Sequence, residues 1–257
     1  MLTRAEEKLI VALRRRKERA ERRLFLAEGA RVVQELIDAD LRPRLAVVSA
    51  GFAGSEPGDA IVGRLAPRCP VRRVDDHRLQ SLAATEAAQG VLVVAEIPAW
   101  TLESVEVPAT AQVLILDAVQ DPGNVGTLVR TAAAFGAVAA VALPGTADFW
   151  NPKTVRSAAG ASFRMPVVSA GFDELSPWLE QHGVILYAAD SDGIDVESCD
   201  FAGRSALAVG NEGAGLSPEI VAGAAAAVAV PMSGPVESLN VAVATGILLY
   251  LMTRRRR

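Results

Sequence analysis

The 257-residue chain has little of what builds most metal and redox centres. It holds two cysteines, Cys69 and Cys199, and two histidines, His77 and His182. Two separated thiols with no C-x-x-C make neither a disulfide framework nor a redox pair. Two histidines leave few ways to assemble a zinc or iron site, and no metal is expected. His77 lies beside Asp75 and Asp76, but one imidazole with two carboxylates reads as surface. Aromatic residues are 5% of the chain, and lysine is scarce, with 3 Lys against 23 Arg. No apolar run approaches the roughly 20 residues that span a bilayer. The N-terminus, MLTRAEEKLIVALRRRKERAERR, is charged throughout and has no secretory apolar region. These absences predict a cytoplasmic protein with no membrane partner.

What is present is apolar bulk and an uneven charge. Hydrophobic residues make up 51% of the chain, enough to bury a sizeable core. The formal net charge of −4 hides an asymmetry. Residues 1–105 carry 17 basic and 15 acidic side chains, and residues 106–257 carry 9 and 15. The first 24 residues hold nine Lys or Arg against four Glu, and the chain ends in four arginines. Basic ends on an acidic body suit a polyanion partner, because phosphate neutralisation needs only a local patch. They also suit a solvated first helix and a frayed terminus.

The pattern alternates strands and helices. Residues 3–23 read as one charged helix with a sparse apolar face at Leu9, Ile10, Leu13 and Ala20. Strands are expected at 24–29, 45–50, 71–74 and 90–97, with helices at 30–40 and 76–83. GFAGSEPG (51–58) is loop chemistry. Residues 98–111 read as a linker. Beyond it, strands are expected at 113–117, 138–143, 184–190, 205–210 and 226–231. Helices are expected at 125–135, from 152, and at 238–253. Strands that are apolar throughout and alternate with helices indicate a parallel sheet covered on both faces. Trp100 and Trp150 read as packing or interface residues.

Three segments directly follow strands, where open α/β sheets bind ligands: residues 117–136, 209–219 and 230–246. The common nucleotide fingerprints fail there. GNEGAG is not G-x-G-x-x-G, and no G-x-x-x-x-G-K-[ST], H-E-x-x-H or G-x-S-x-G occurs. The polar residues embedded in these segments are Asn124, Arg130, Asn211, Glu212, Ser238 and Asn240. They suggest a small-molecule site without saying which molecule.

In order and spacing, DPGNVGTLVRTAAAFG, GNEGAGL and PMSGPVESLNVAVATGI resemble the three motifs of the SpoU (TrmH-like) RNA ribose 2′-O-methyltransferases. RLFLAEGARVVQEL (23–36) and TEAAQGVLVV (85–94) are similar to the start and end of that family's substrate-binding domain. The resemblance implies an α/β chain with two domains. Residues 1–105 would form an L30e-like RNA substrate-binding domain. Residues 106–257 would form a SPOUT methyltransferase domain, the α/β knot with a deep trefoil. It implies S-adenosylmethionine as cofactor, a structured rRNA or tRNA as substrate, and a homodimer through the knot region and final helix.

The resemblance also assigns roles to residues. Arg130 is the principal catalytic residue and Asn124 helps to place it. Glu212, Ser238 and Asn240 complete the catalytic group. Val209, Gly210, Asn211, Gly213, Val230, Met232, Ser238 and Leu239 are implied to hold the cofactor, with Gly213 and Gly215 allowing close approach. Lys153 and Arg156 lie three apart, so they share a helix face, and RSAAGA (156–161) matches a family phrase. Both are proposed RNA phosphate contacts. A guanidinium does not normally deprotonate in proteins. A charged Arg130 is therefore read as stabilising the forming alkoxide and gripping the neighbouring phosphate. The proton would pass to Glu212, a phosphate oxygen or water. The competing readings are an inactive RNA-binding protein of the same fold and a Rossmann-type nucleotide enzyme, which lacks its fingerprint here.

Overall fold

The structure is a computed structural model that describes residues 1–84, 89–201, 203–235 and 238–255. Parts of the TEAAQG phrase, of the third motif and of the arginine tail fall outside the described residues. In chain order the elements are α1 (Arg4–Ala12), α2 (Arg16–Arg22), β1 (Leu24–Glu28), α3 (Ala30–Asp38), β2 (Pro43–Ser49), α4 (Ala50–Ala53), α5 (Glu56–Leu65), β3 (Val71–Val74), α6 (Asp76–Leu82) and β4 (Val91–Glu96). Then follow β5 (Ala111–Leu116), α7 (Pro122–Ala134), β6 (Ala139–Ala142), α8 (Pro152–Ala158), β7 (Val167–Ser169), α9 (Phe172–Gln181), β8 (Ile185–Asp195), β9 (Arg204–Val209), α10 (Pro218–Gly223), β10 (Ala226–Ala229) and α11 (Val241–Arg254).

Packing divides the chain into two compact units. The first comprises Met1–Ala99 together with Asp148–Arg164. Its sheet has the order β1-β4-β2-β3, with β4 antiparallel to both β1 and β2 and β2 parallel to β3. The later segment joins this unit through aromatic packing and an ion pair. Phe25 of β1 lies 4.7 Å from the Trp150 ring and 5.6 Å from Phe163, centroid to centroid. Arg19 is only 2% exposed and donates from Nε and Nη2 to Asp148 Oδ2 at 2.8 and 2.5 Å.

Two expectations for this unit are corrected. The helix expected over 3–23 breaks after Ala12. Arg19 Nη1 donates to the carbonyls of Leu13 and Arg14, at 2.9 and 2.8 Å. Those C-terminal carbonyls would otherwise need helical partners, so a buried cation stabilises the break. The loop expected at 51–58 is instead short α4 and the first turn of α5. Two serines cap these helices: Ser49, at the end of β2, accepts at Oγ from Phe52 N, and Ser55 Oγ accepts from Gly58 N, both at 3.2 Å. A Cβ on Gly58 would sit 1.7 Å from the Phe52 carbonyl oxygen, so the glycine permits a close approach of chain to chain.

The second unit comprises Trp100–Ala147 and Met165–Arg257. All its strands are parallel, in the order β10-β8-β9-β5-β6-β7. β5 is buried along its whole length, as a strand covered on both faces requires. β7, α9 and α10 were not foreseen, and a short 3-10 turn, Leu102–Ser104, lies inside the expected linker. α7 starts at Pro122 rather than 125, because Asp121 caps it by accepting from Asn124 N at 2.9 Å. α11 starts at Val241, capped by Asn240 and not by Ser238. Both cysteines are buried, which pushes their thiols up and away from thiolate chemistry. Among the described residues no helix is long and apolar enough to cross a membrane. No described group of three His, Cys, Asp or Glu could hold a metal.

Candidate active site

The loops after β5, β9 and β10, together with residues 189–191 of β8, form the site at the carboxyl edge of the second sheet, where such sheets place ligands. The β9 loop is built on Asn211. Its backbone pairs with Gly215 in both directions, at 3.0 and 2.9 Å. Its Oδ1 accepts from Gly213 N and Ala214 N, both at 2.9 Å. Its Nδ2 donates to the Ala118 carbonyl at 3.0 Å, tying this loop to the one after β5. A second tie runs from Ser217 N to the buried Asp117 Oδ2, at 2.6 Å. Gly215 has φ +71°, and a Cβ on Gly210 would lie 2.4 Å from the Gly215 carbonyl group. The loop therefore closes on itself only because Gly210 has no side chain.

Three polar side chains converge at its rim. Asn124 Nδ2 donates to Glu212 Oε1 at 2.6 Å. Asn240 Nδ2 approaches Asn124 Oδ1 at 3.4 Å, while Asn240 Oδ1 caps α11 by accepting from Ala242 N at 2.9 Å. Residues brought by three different segments of the sequence thus form one chain, Asn240 to Asn124 to Glu212.

Beside this chain lies a cavity of about 440 Å³. Of the expected site residues, Val209, Gly210, Asn211, Glu212, Val230, Met232, Ser238, Leu239 and Asn240 line it. Gly213 does not line it; it sits in the loop and donates to Asn211. Arg130 does not line it either. It lies six residues beyond Asn124, about 9 Å along α7, exposed and without an ion pair or hydrogen bond among the described residues. Lys153 and Arg156 are exposed on α8, which packs in the first unit. Sequence reasoning missed Asp190 and Ser191 from β8 and Ala244, Thr245 and Leu248 from α11, all in the lining. The α11 residues carry an i, i+4 signal (Ala244, Leu248) that a helix apolar all round conceals.

The cavity wall fits an adenosyl ligand. Val209, Val228, Val230, Leu239 and Leu248 offer apolar surface for a base, and Asp190, Asn211, Glu212, Ser238 and Asn240 offer polar atoms. Among the described residues the lining includes two carboxylates and no Lys, Arg or His, which suits a ligand bearing positive charge.

Residues 111–250 match the SpoU rRNA Methylase family, and residues 6–93 match the MRM3-like substrate binding domain. The chain belongs to the SpoU rRNA methylase family, with an N-terminal substrate-binding domain and a C-terminal methyltransferase domain. It is similar to the 23S rRNA (guanosine(2553)-2′-O)-methyltransferase RlmP of Bacillus subtilis (strain 168), with 36% identity over 93% of this chain and 92% of that protein. It is 34% identical to the 23S rRNA (guanosine-2′-O-)-methyltransferase RlmB of Ralstonia nicotianae, over 71% of this chain and 76% of the relative. Among solved structures it resembles the SpoU methyltransferase AviRb from Streptomyces viridochromogenes in complex with AdoMet. That match has a TM-score of 0.89 and 28% identity, covering 98% of both chains. It also resembles the AdoMet-bound rRNA methyltransferase from Sinorhizobium meliloti, with TM-score 0.87 and 30% identity over 99% and 96% of the two chains.

Proposed function

We propose that this protein is a methyltransferase that uses S-adenosylmethionine to methylate a ribose 2′-OH in structured ribosomal RNA, of the 23S type. The observation that carries this reading is the Asn240–Asn124–Glu212 chain at the rim of a cavity whose described lining residues include no cation. S-adenosylmethionine supplies a methyl group on a sulfonium, an electrophile strong enough that the protein need only orient and polarise the acceptor. Val209, Gly210, Val230, Met232 and Leu239 would hold the adenosyl part, with Asn211 and Gly213 shaping the loop around it. Asn124, fixed by Glu212 and Asn240, sets the position of the ribose. The charged Arg130 would grip the adjoining phosphate bidentately and stabilise negative charge developing on the ribose 2′-oxygen. Glu212 takes the 2′-OH proton, and Ser238 orders the loop that carries Asn240.

Residues 1–105 are proposed to bind the RNA, with Lys153 and Arg156 adding phosphate contacts, and residues 106–257 to carry the chemistry. The enzyme is proposed to act in the cytoplasm as a homodimer. A groove of about 540 Å³ runs along α11 and α7 beside Phe135, Val243, Ile247 and Tyr250. Val243 is 53% and Tyr250 44% exposed there, an apolar face that a second copy would cover.

The test is transfer of a labelled methyl group to total RNA, followed by mapping of the modified nucleotide. Arg130→Lys should bind cofactor normally and lose methylation by at least a hundredfold, because a point charge cannot form the guanidinium fork. A fully active Arg130→Ala enzyme would overturn the role of Arg130. A protein that binds RNA and never transfers methyl would establish the inactive-binder reading.

A further inference from the structure

β8 does not keep its ladders to the end. It pairs Tyr187 with Ala226 and Ala188 with Ala227 of β10, then resumes with Ile194 against Val228. Its pairing with β9 stops at Ala188. Residues 189–193 therefore leave both neighbours and bow out of the sheet before the strand rejoins. Gly193 makes the return possible: a Cβ there would lie 2.6 Å from the Val228 nitrogen and 2.7 Å from the Ala227 carbonyl carbon. Departures from a ladder beside a site re-aim side chains. This one delivers Asp190 and Ser191 to the cavity wall.

Asp190 is distinct from Glu212, the other carboxylate among the described lining residues. Glu212 is engaged by Asn124 at the reacting end. Among the described residues, the one hydrogen bond of Asp190 is from Asp192 N to its Oδ1, at 2.9 Å. That bond fixes the carboxylate and leaves Oδ2 open to a ligand. β8 is separated from β5 by β9 in the sheet, so the two strands lie roughly 10 Å apart.

We propose that Asp190 is a cofactor-binding residue that accepts hydrogen bonds from the vicinal ribose hydroxyls of the adenosyl group. The inference rests on the cofactor reading above. A carboxylate is acceptor-only and can take two O–H donors at once, which a cis diol offers. The apolar residues Val209, Val228 and Val230 lie on the neighbouring strands or their ends and are placed for the attached base.

The test is calorimetric binding of S-adenosylmethionine, 5′-methylthioadenosine and its 2′-deoxy and 3′-deoxy forms to the full chain, Asp190→Asn and Asp190→Ala. Methylthioadenosine keeps the ribose and lacks the amino-acid end. Asp190→Ala should weaken both ribose-bearing ligands by the same factor, about tenfold, the loss of one charge-assisted hydrogen bond. The deoxy ligands should bind the unsubstituted protein more weakly than the parent, and the variant no more weakly than the parent. Equal affinity of protein and variant for every ligand would overturn the proposal. So would a loss seen with S-adenosylmethionine alone, which would assign Asp190 to the α-ammonium. An unsubstituted protein that binds none of the four would overturn the cofactor reading itself.

Discussion

Asn124 has a single amide and two opposite demands on it. Its Nδ2 faces the Glu212 carboxylate and its Oδ1 faces the Asn240 amide, so its orientation is fixed by what each partner can give. A carboxylate at this position would repel Glu212, and Asn124→Asp should cost more catalysis than cofactor binding. Gly210 makes a sharper case, since any Cβ there meets the Gly215 backbone at 2.4 Å. Gly210→Ala should lower affinity for S-adenosylmethionine by more than tenfold in a calorimetric titration, with the thermal midpoint little changed. Unchanged affinity would mean that the loop does not shape the pocket. The motifs marked Asn124, Glu212 and Asn240 but not Asp190. VILYAAD reads as an unbroken strand, and no local pattern announces that its ladders stop at Ala188. That break follows from a glycine meeting β10, a contact distant in sequence.

At the scale of elements, α11 does two jobs. Its N-cap, Asn240, belongs to the polar chain, so helix and site share one residue. Asn240→Ala should cost about 1 kcal/mol of stability as a lost cap and a larger share of activity. Its exposed face is the dimer surface of the account. Val243→Asp with Tyr250→Asp should give monomers in light scattering, whereas a chain already monomeric at micromolar concentration would remove the dimer. Strands and long helices were legible because burial imposes their periods. Short helices were not. GFAGSEPG has the composition of a loop, yet its Ser55 caps α5, and Ser49 just before it caps α4. The N-terminal helix reads as continuous because its break is stabilised by the buried Arg19, whose charge is paired with Asp148, 129 residues away.

At the scale of the molecule, that ion pair joins a late segment to the first unit. Asp148→Ala would leave a buried guanidinium uncompensated and should lower stability by about 3 kcal/mol in denaturant unfolding. A change below 1 kcal/mol would show that water reaches the pair. Acid should loosen the same unit by another route. The Arg72 guanidinium holds the Glu6 carboxyl below the usual carboxylate range. Its contribution is complete above the ordinary glutamate pKa and is lost as pH falls through the lowered folded value. Lys153 and Arg156 belong to that unit. Reversing both charges should weaken RNA binding and flatten its dependence on salt. The net charge of −4 therefore says less about RNA than its distribution does.

The central claim is methyl transfer to a ribose from the site at the ends of β5, β9 and β10. The most direct measurement is incubation of the purified protein with labelled S-adenosylmethionine and unmodified 23S rRNA, followed by nuclease mapping and mass analysis of the labelled nucleotide. The account predicts one labelled ribose at its 2′-oxygen, abolished in Arg130→Ala and Asn124→Ala. Label on a base, or equal label from the wild-type and Arg130→Ala proteins, would contradict it.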